Sequence, residues 1–246
     1  MLKLLKARWN QGFQYIPDPL RARPAAPFRG LPRVTGDKFT PPAGFVCPGG
    51  ALRCEPLAID LGRCLFCGDC AEAANDNEIV FTNDPRLAAT RREDLIIDRN
   101  HAAPRVEAHP VMRKLCRRSF KLRQVSAGGD NSAELELNAL SNVNFDLGRY
   151  GIEFTASPRH ADGILITGPI SRHMAYALRE TYRAVPRPRV VILAGAEAIG
   201  GSVFAGSAAL DRSFLDEVPV DLYIPGWPPH PLTVINALCD FLGRGR

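Results

Sequence analysis

The 246-residue chain has no apolar run near the ~18 residues that a membrane-spanning helix requires. It carries no G-x-G-x-x-G or G-x-x-x-x-G-K-[ST] loop and no nucleophile–base signature. No catalytic residue and no small-molecule substrate of its own are therefore expected. Its seven cysteines are odd in number and clustered, which excludes an evenly paired secreted disulfide framework and fits a reducing compartment. Met1–Leu5 is apolar with a lysine, but Arg8, Asn10 and Gln11 end it too soon for a signal peptide. Charge is also modest, at +5, with basic residues spread out and no nucleic-acid motif, so no nucleic-acid partner is expected. A basic face against another subunit or anionic headgroups fits that charge equally well. With 46% hydrophobic residues, the chain can bury a proper core.

What is present centres on the cysteines. Cys64, Cys67 and Cys70 form a C-x2-C-x2-C run, and Cys47-Pro48 lies upstream. In two-cluster ferredoxins each cluster takes three thiolates from one run and a fourth, followed by proline, from the other. Counting back from Cys47 at ferredoxin spacing lands on Ala43, Thr40 and Asp37, and counting forward from Cys70 lands on Ala74. One full ligand set is thus missing, while the other, Cys47, Cys64, Cys67 and Cys70, is complete. Loss sorted by cluster predicts a two-cluster fold that retains one [4Fe–4S] cluster. The alternatives are a zinc site, unusual for so tight a triple run, or free thiols. Cys54 lies outside the spacing and reads as a half-buried thiol. Cys239 reads as core, and Cys116 has no assigned role.

Along the chain, residues 1–33 read as an N-terminal helix and an arm. Leu2, Leu5 and Trp9 share a helical face that Phe13 and Ile16 extend, either packed on its own domain or docked on a partner or membrane. Pro17, Pro19, Pro24, Pro27 and Pro32 then force an irregular arm that gains order only by lying on something. Residues 34–95 read as a ferredoxin-like α+β domain, with strands at Ala51–Arg53, Leu57–Leu61 and Glu78–Thr82. Residues 96–112 are expected as a linker. The opening helix, the Phe28-Arg29-Gly30 arm, and the segments from Cys47 to Leu52 and from Ile59 to Cys70 resemble the ferredoxin-like subunit of formate hydrogenlyase and its complex I counterpart. That resemblance covers about residues 1–95.

Residues 113–246 alternate strand-like runs (Ile152–Thr155, Gly163–Thr167, Val190–Ala194, Leu222–Pro225) with helical ones (Ser171–Val185, Pro231–Leu242). This pattern predicts an open, mainly parallel α/β sheet whose functional edge is at the strands' carboxyl ends. The segments Ser157–Asp162, Ile166–Gly168, Gly195–Glu197, Gly200-Gly201 and Pro225–Pro229 resemble the small Fe–S subunit of group 4 [NiFe] hydrogenases, in the superfamily of the complex I 20-kDa subunit. That resemblance implies a flavodoxin-like fold, and a chain that fuses two adjacent hydrogenase-type subunits. It also implies a second cluster at the sheet edge, held by three cysteine-bearing loops. Here those loops carry Ala127, Asp130 and Ala133, then Glu197, then Trp227, so this former cluster site is degenerate. Carboxylates are poor substitutes for thiolate on iron–sulfur clusters, and indole is no ligand. Asp130 and Glu197 are expected to hydrogen-bond to loop amides or, with His160, to gather a hard metal or relay protons. Arg159, His160 and Trp227 are expected to contact a partner.

The expected function is that of a mainly structural Fe–S subunit, carrying one [4Fe–4S] cluster and holding a homologue of the hydrogenase or complex I large subunit. The alternative is an electron-transfer subunit of a formate hydrogenlyase-like or NADH:quinone oxidoreductase-like complex. Either places the chain in the cytoplasm, peripheral on the inner face of the membrane, touching membrane-arm subunits only indirectly.

Overall fold

The computed structural model describes residues 2–12, 15–74 and 78–245. The N-terminal apolar pattern forms helix α1 (Leu2–Gln11), which buries none of its residues and leaves Trp9 89% exposed. Phe13, expected to extend its apolar face, lies outside the described residues. The proline-rich arm that follows lies on its own chain. Proline backbone offers carbonyls but no N–H, so donors must come from elsewhere. Asn236 donates its side-chain amide to the Pro19 carbonyl over 3.3 Å, and Arg149 reaches the Ile16 and Pro17 carbonyls at 3.2 and 3.3 Å.

Five short strands, β1 (Pro32–Val34), β2 (Leu52–Cys54), β3 (Leu57–Asp60), β4 (Ile79–Phe81) and β5 (Ile96–Asp98), make two antiparallel sheets, β1–β4 and β2–β3–β5. Helix α2 (Asp69–Ala73) follows the cysteine run. Strand β5 opens the stretch expected as a linker. Ile97 is fully buried there and pairs with Ile59, so these residues belong to the small sheet. Just before it, Ala89 bridges to Tyr223, on the far edge of the large sheet.

The second half begins with α3 (Met112–Leu115), β6 (Phe120–Ser126), α4 (Ser132–Ala139) and β7 (Ile152–Phe154). It continues with β8 (Gly163–Thr167), α5 (Arg172–Ala184), β9 (Val190–Ala194) and α6 (Ala196–Gly200). It ends with α7 (Phe214–Glu217), β10 (Leu222–Ile224) and α8 (Pro231–Phe241). The five strands from β6 to β10 form one parallel sheet in the order β10-β9-β8-β6-β7. Numbered within the sheet this is 2-1-3-4-5, a doubly wound order that places the topological switch between β6 and β8. Every residue of β8 and β9 is buried, as the centre of a sheet covered on both faces requires. Helix α8 starts where Pro231 suits a first turn, and His230 Nδ1 caps it by accepting the Leu232 N–H over 3.1 Å.

The small sheets pack directly on one face of the large one. Leu57, Ile59 and Ile97 share a core with Ile164, Ile166 and Ile199. On the other face Phe120, Leu165 and Ile192 pack against Leu137 of α4 and Leu238 of α8. Among the described residues, no helix is long and apolar enough to cross a membrane.

Candidate functional site

Two sites stand out. The first is the cysteine loop. Phe66 at φ 53° and Gly68 at φ 91° curl the run from Cys64 to Cys70 around a small cavity walled by Phe45, Ala51, Leu52, Ile59, Leu65 and Phe81. All four expected ligands, Cys47, Cys64, Cys67 and Cys70, line it. Cys64 is buried, Cys47 and Cys70 are half-buried, and Cys67 faces solvent. Backbone amides point at two of the sulfurs: Ala51 N–H at Cys47 Sγ over 3.4 Å and Phe66 N–H at Cys64 Sγ over 3.3 Å. Burial, reinforced by the other three sulfurs, pushes the Cys64 thiol well above its ordinary range. Burial with repulsion from Cys47 and Cys67 pushes Cys70 up to about 11.

Cys64 and Cys70 cannot both ionise in this apolar cup without positive charge beside them. A cationic iron–sulfur core supplies that charge, and N–H···S bonds are the support such a core uses. The donor set therefore fits a [4Fe–4S] cluster. Among the described residues, no three His, Cys, Asp or Glu side chains group as ligands of a single metal ion. Cys54 does not line the cavity.

The second site is the sheet edge. Ala127, fully buried, follows β6, and the loop Gly128–Asn131 turns away through left-handed backbone at Gly128 and Asn131. Asp130 closes this loop on itself, accepting the Ser132 N–H at 2.9 Å and hydroxyl at 2.6 Å. Glu197, in the first turn of α6, is 5% exposed. The Asp130 backbone N–H and the Trp227 side chain lie near enough to favour its charged form, yet Oε1 has no hydrogen-bond partner. A β-carbon on Gly129 would stand 2.4 Å from Glu197 Oε2 and 2.8 Å from the Gly168 α-carbon, so only glycine admits this approach. Burial, then the charge of Asp130, raises the Glu197 carboxyl above its usual range. Ala133, also buried, lies at the start of α4 and faces Gly195. Trp227 follows Gly226, at φ 140°, and is 37% exposed. Asp130, Ala133, Glu197 and Trp227 thus gather at one edge.

Arg159 and His160 do not join them. They sit in an exposed turn (Pro158–His160) just before β8, near Asp162, whose N–H donates to Lys121 early in β6. The edge loops lie beyond the opposite, carboxyl end of β8. The connection from β7 to β8 is short and holds the turn low on the sheet, so His160 makes no metal group with Asp130 and Glu197 among the described residues.

Sequence reasoning missed two residues here. Glu134, buried in α4, accepts hydroxyl hydrogen bonds from Ser126 and Thr167, both at 2.6 Å. Arg212 fastens the Glu197 loop from behind, donating to the carbonyls of Pro169, Glu197, Ala198 and Ile199 at 2.8–3.2 Å. Both depend on partners far along the chain and leave no local signal.

A cleft joins the two sites. Phe28 and Arg29 of the arm, Leu65 and Phe66 of the cysteine loop, and Trp227 and His230 of the sheet edge line it together.

A doubly wound parallel sheet, with its switch-point loops shaped around a buried carboxylate and an indole, defines an open-sheet α/β protein whose working edge lies at the strands' carboxyl ends. Residues 131–241 match the family described as NADH ubiquinone oxidoreductase, 20 Kd subunit. A "Probable membrane-bound hydrogenase subunit mbhJ" of Pyrococcus furiosus is 36% identical over 132 residues, covering 51% of this chain and 77% of that protein. Formate hydrogenlyase subunit 7 of Escherichia coli is 35% identical, covering 53% of this chain and 51% of its own length. An NADH-quinone oxidoreductase subunit of Desulfovibrio desulfuricans is 42% identical over 97 residues, 39% of this chain and 52% of that one. The chain belongs to this 20 Kd subunit family. The matched family segment begins after the cysteine pocket.

Proposed function

We propose that the chain is an Fe–S subunit of a membrane-associated assembly related to hydrogenases and complex I. In this reading a ferredoxin-like N-terminal part is fused to the 20 Kd-type sheet. It is mainly structural: it holds a large-subunit homologue at the sheet edge and carries one [4Fe–4S] cluster on Cys47, Cys64, Cys67 and Cys70. Such a cluster supplies one-electron transfer when bound. The chain's own part is to place four thiols in an apolar cup, to aim amides at their sulfurs and to exclude water from all but the Cys67 side. The sheet edge supports the structural half. Its loops present carboxylates and an indole, with no thiol, and the half-exposed Trp227 offers the large, stiff side chain that anchors interfaces. The same reading keeps the chain at the inner face of the membrane through its complex.

The observation that carries the proposal is the convergence of four cysteines, and no others, on one cavity. Iron and acid-labile sulfide analysis of anaerobically purified protein tests it, and close to four of each per chain is expected. A value near eight, or zinc in place of iron, overturns it. The structural role is tested by affinity for the large-subunit homologue, which Trp227→Ala should weaken; unchanged binding removes the anchor.

The electron-transfer reading draws on the shared cleft, because Leu65 and Phe66 of the cysteine loop and Trp227 of the sheet edge line the same space. Reduction of the cluster by the assembled complex within its turnover time favours this second reading.

A further inference from the structure

We infer that Arg29 is a positioning residue for charge at the cysteine loop: its guanidinium, held over Gly68, raises the reduction potential of the cluster that Cys47, Cys64, Cys67 and Cys70 bind. The inference rests on the proposed function, since it takes those four residues as ligands.

The contact is close. A β-carbon built on Gly68 would lie 2.5 Å from Arg29 Nε, 2.9 Å from Cζ and 3.1 Å from Nη2. The guanidinium therefore lies directly on the backbone between Cys67 and Cys70. The left-handed Gly68, at φ 91°, gives the loop its curl and leaves the room.

The arm holds Arg29 from both sides. Before it, the Phe28 ring packs edge-on against His230, with centroids 5.1 Å apart. After it, the Gly30 N–H donates to the Thr82 carbonyl over 2.6 Å, and a β-carbon on Gly30 would meet the Asp84 carbonyl oxygen at 2.1 Å. Gly30 thus lies flat against the chain that follows β4, and Arg29 is directed at the loop between two fixed neighbours. Nearby Arg23 and Arg86 both pair with Asp84. Arg29 forms no ion pair among the described residues, so its charge is not spent on a carboxylate.

The physics follows from charge. A four-thiolate cluster is anionic in both working states, and one-electron reduction adds one more negative charge. A fixed cation beside the ligand loop stabilises the reduced form more than the oxidised form. Net charge and hydrogen bonding around the sulfurs are established controls on such potentials. Arg29 is itself exposed, so salt screens part of its field.

The test is an EPR-monitored titration with dithionite as electron donor, on the full chain purified anaerobically, with iron content read first. Arg29→Gln should move the midpoint to lower potential, and Arg29→Lys should stay near wild type. Arg33→Gln, an exposed arginine on β1, should leave the midpoint in place. The Arg29→Gln shift should shrink as salt is raised. If Arg29→Gln keeps its iron and its midpoint, or if Arg33→Gln shifts the midpoint as far, the inference is overturned. If Arg29→Gln retains no cluster while Arg29→Lys does, Arg29 is a structural clamp and the tuning role is likewise overturned. A wild-type protein with no cluster overturns the proposed function instead, and iron analysis shows this before any potential is measured.

Discussion

Trp227 lies beside the buried carboxylate of Glu197, and its indole N–H, like the Asp130 backbone N–H, favours the charged form against the burial that disfavours it. The pair joins the loop after β10 to the first turn of α6. Removing a donor from a buried carboxylate exposes a desolvation cost of about 1–3 kcal/mol. Trp227→Phe, which keeps most of the apolar bulk, should therefore lower the urea midpoint of the free chain by a corresponding amount. A midpoint unchanged within error would mean that the indole N–H contributes nothing there.

Glu197 also gives a pH signature. Burial raises its carboxyl above the unfolded value, so the native state holds the proton more tightly. The stability this contributes is full below the unfolded pKa and is lost as pH rises through the folded one. Glu197→Gln removes that dependence. Relative to wild type, it should therefore gain stability as pH rises from the ordinary carboxylate range upward. Parallel stability–pH curves for the two proteins would contradict the assignment.

Arg212 supports the same loop through four carbonyl contacts, to Pro169, Glu197, Ala198 and Ile199. A carbonyl stripped of its donor in a buried setting costs about 1–3 kcal/mol, and the four losses do not add simply. Arg212→Met should cost at least ~3 kcal/mol in equilibrium unfolding. Arg212→Lys should recover only part, because an ammonium cannot span carbonyls on both α6 and the loop after β8. A loss below ~1 kcal/mol for Arg212→Met would show that solvent satisfies these groups.

What was legible in the sequence was legible for local reasons. The cysteine pocket could be read because three ligands lie within seven residues, at a spacing few other sites use. Strands β8 and β9 could be read because both of their faces are apolar, and α5 because Met174, Leu178 and Tyr182 recur at helical spacing. Strand β6 escaped notice although it lies between β7 and β8, beside the switch point. Lys121, Arg123 and Gln124 break its apolar run, and only Phe120, Leu122 and Val125 turn inward. Strand β5 was hidden in the same way behind the charged stretch Arg91–Asp94. Glu134 carries no local signal in the sequence. Its partners, Ser126 and Thr167, are 8 and 33 residues away, and only the parallel pairing of β6 with β8 brings them together.

The arm is the clearest case of tertiary contact overruling composition. Its prolines predict an irregular path, and the path is irregular. Yet Ile16 donates to the Asn144 carbonyl at 3.0 Å, Pro19 and Pro24 are buried, and Gly30 and Leu31 join the chain after β4. Helix α1, by contrast, buries none of its residues. Trypsin should therefore cut the isolated chain first at Lys3, Lys6 or Arg8, with Arg21 protected by the segment to which it belongs. Early cleavage at Arg21 would show that the arm lifts off easily. Asn236→Ala, which removes the donor to Pro19, should make that site more accessible.

The cysteines give the sharpest contrast between neighbours in space and neighbours in sequence. Cys54 ends β2, seven residues after Cys47, yet it does not line the cavity. It packs instead against the shared core beside Leu57 and Phe39. Cys67 is the most exposed of the four lining thiols, so serine there should fold without a packing defect and report on ligation alone. Cys67→Ser should lose the iron–sulfur chromophore and most of its iron while keeping its far-ultraviolet circular dichroism. Cys54→Ser should retain both iron and chromophore and lose, at most, the small stability that a half-buried thiol contributes. The pair separates ligand from bystander: equal iron in the two variants, whether full or absent, would show that the cavity does not select its thiols in the way the loop geometry requires.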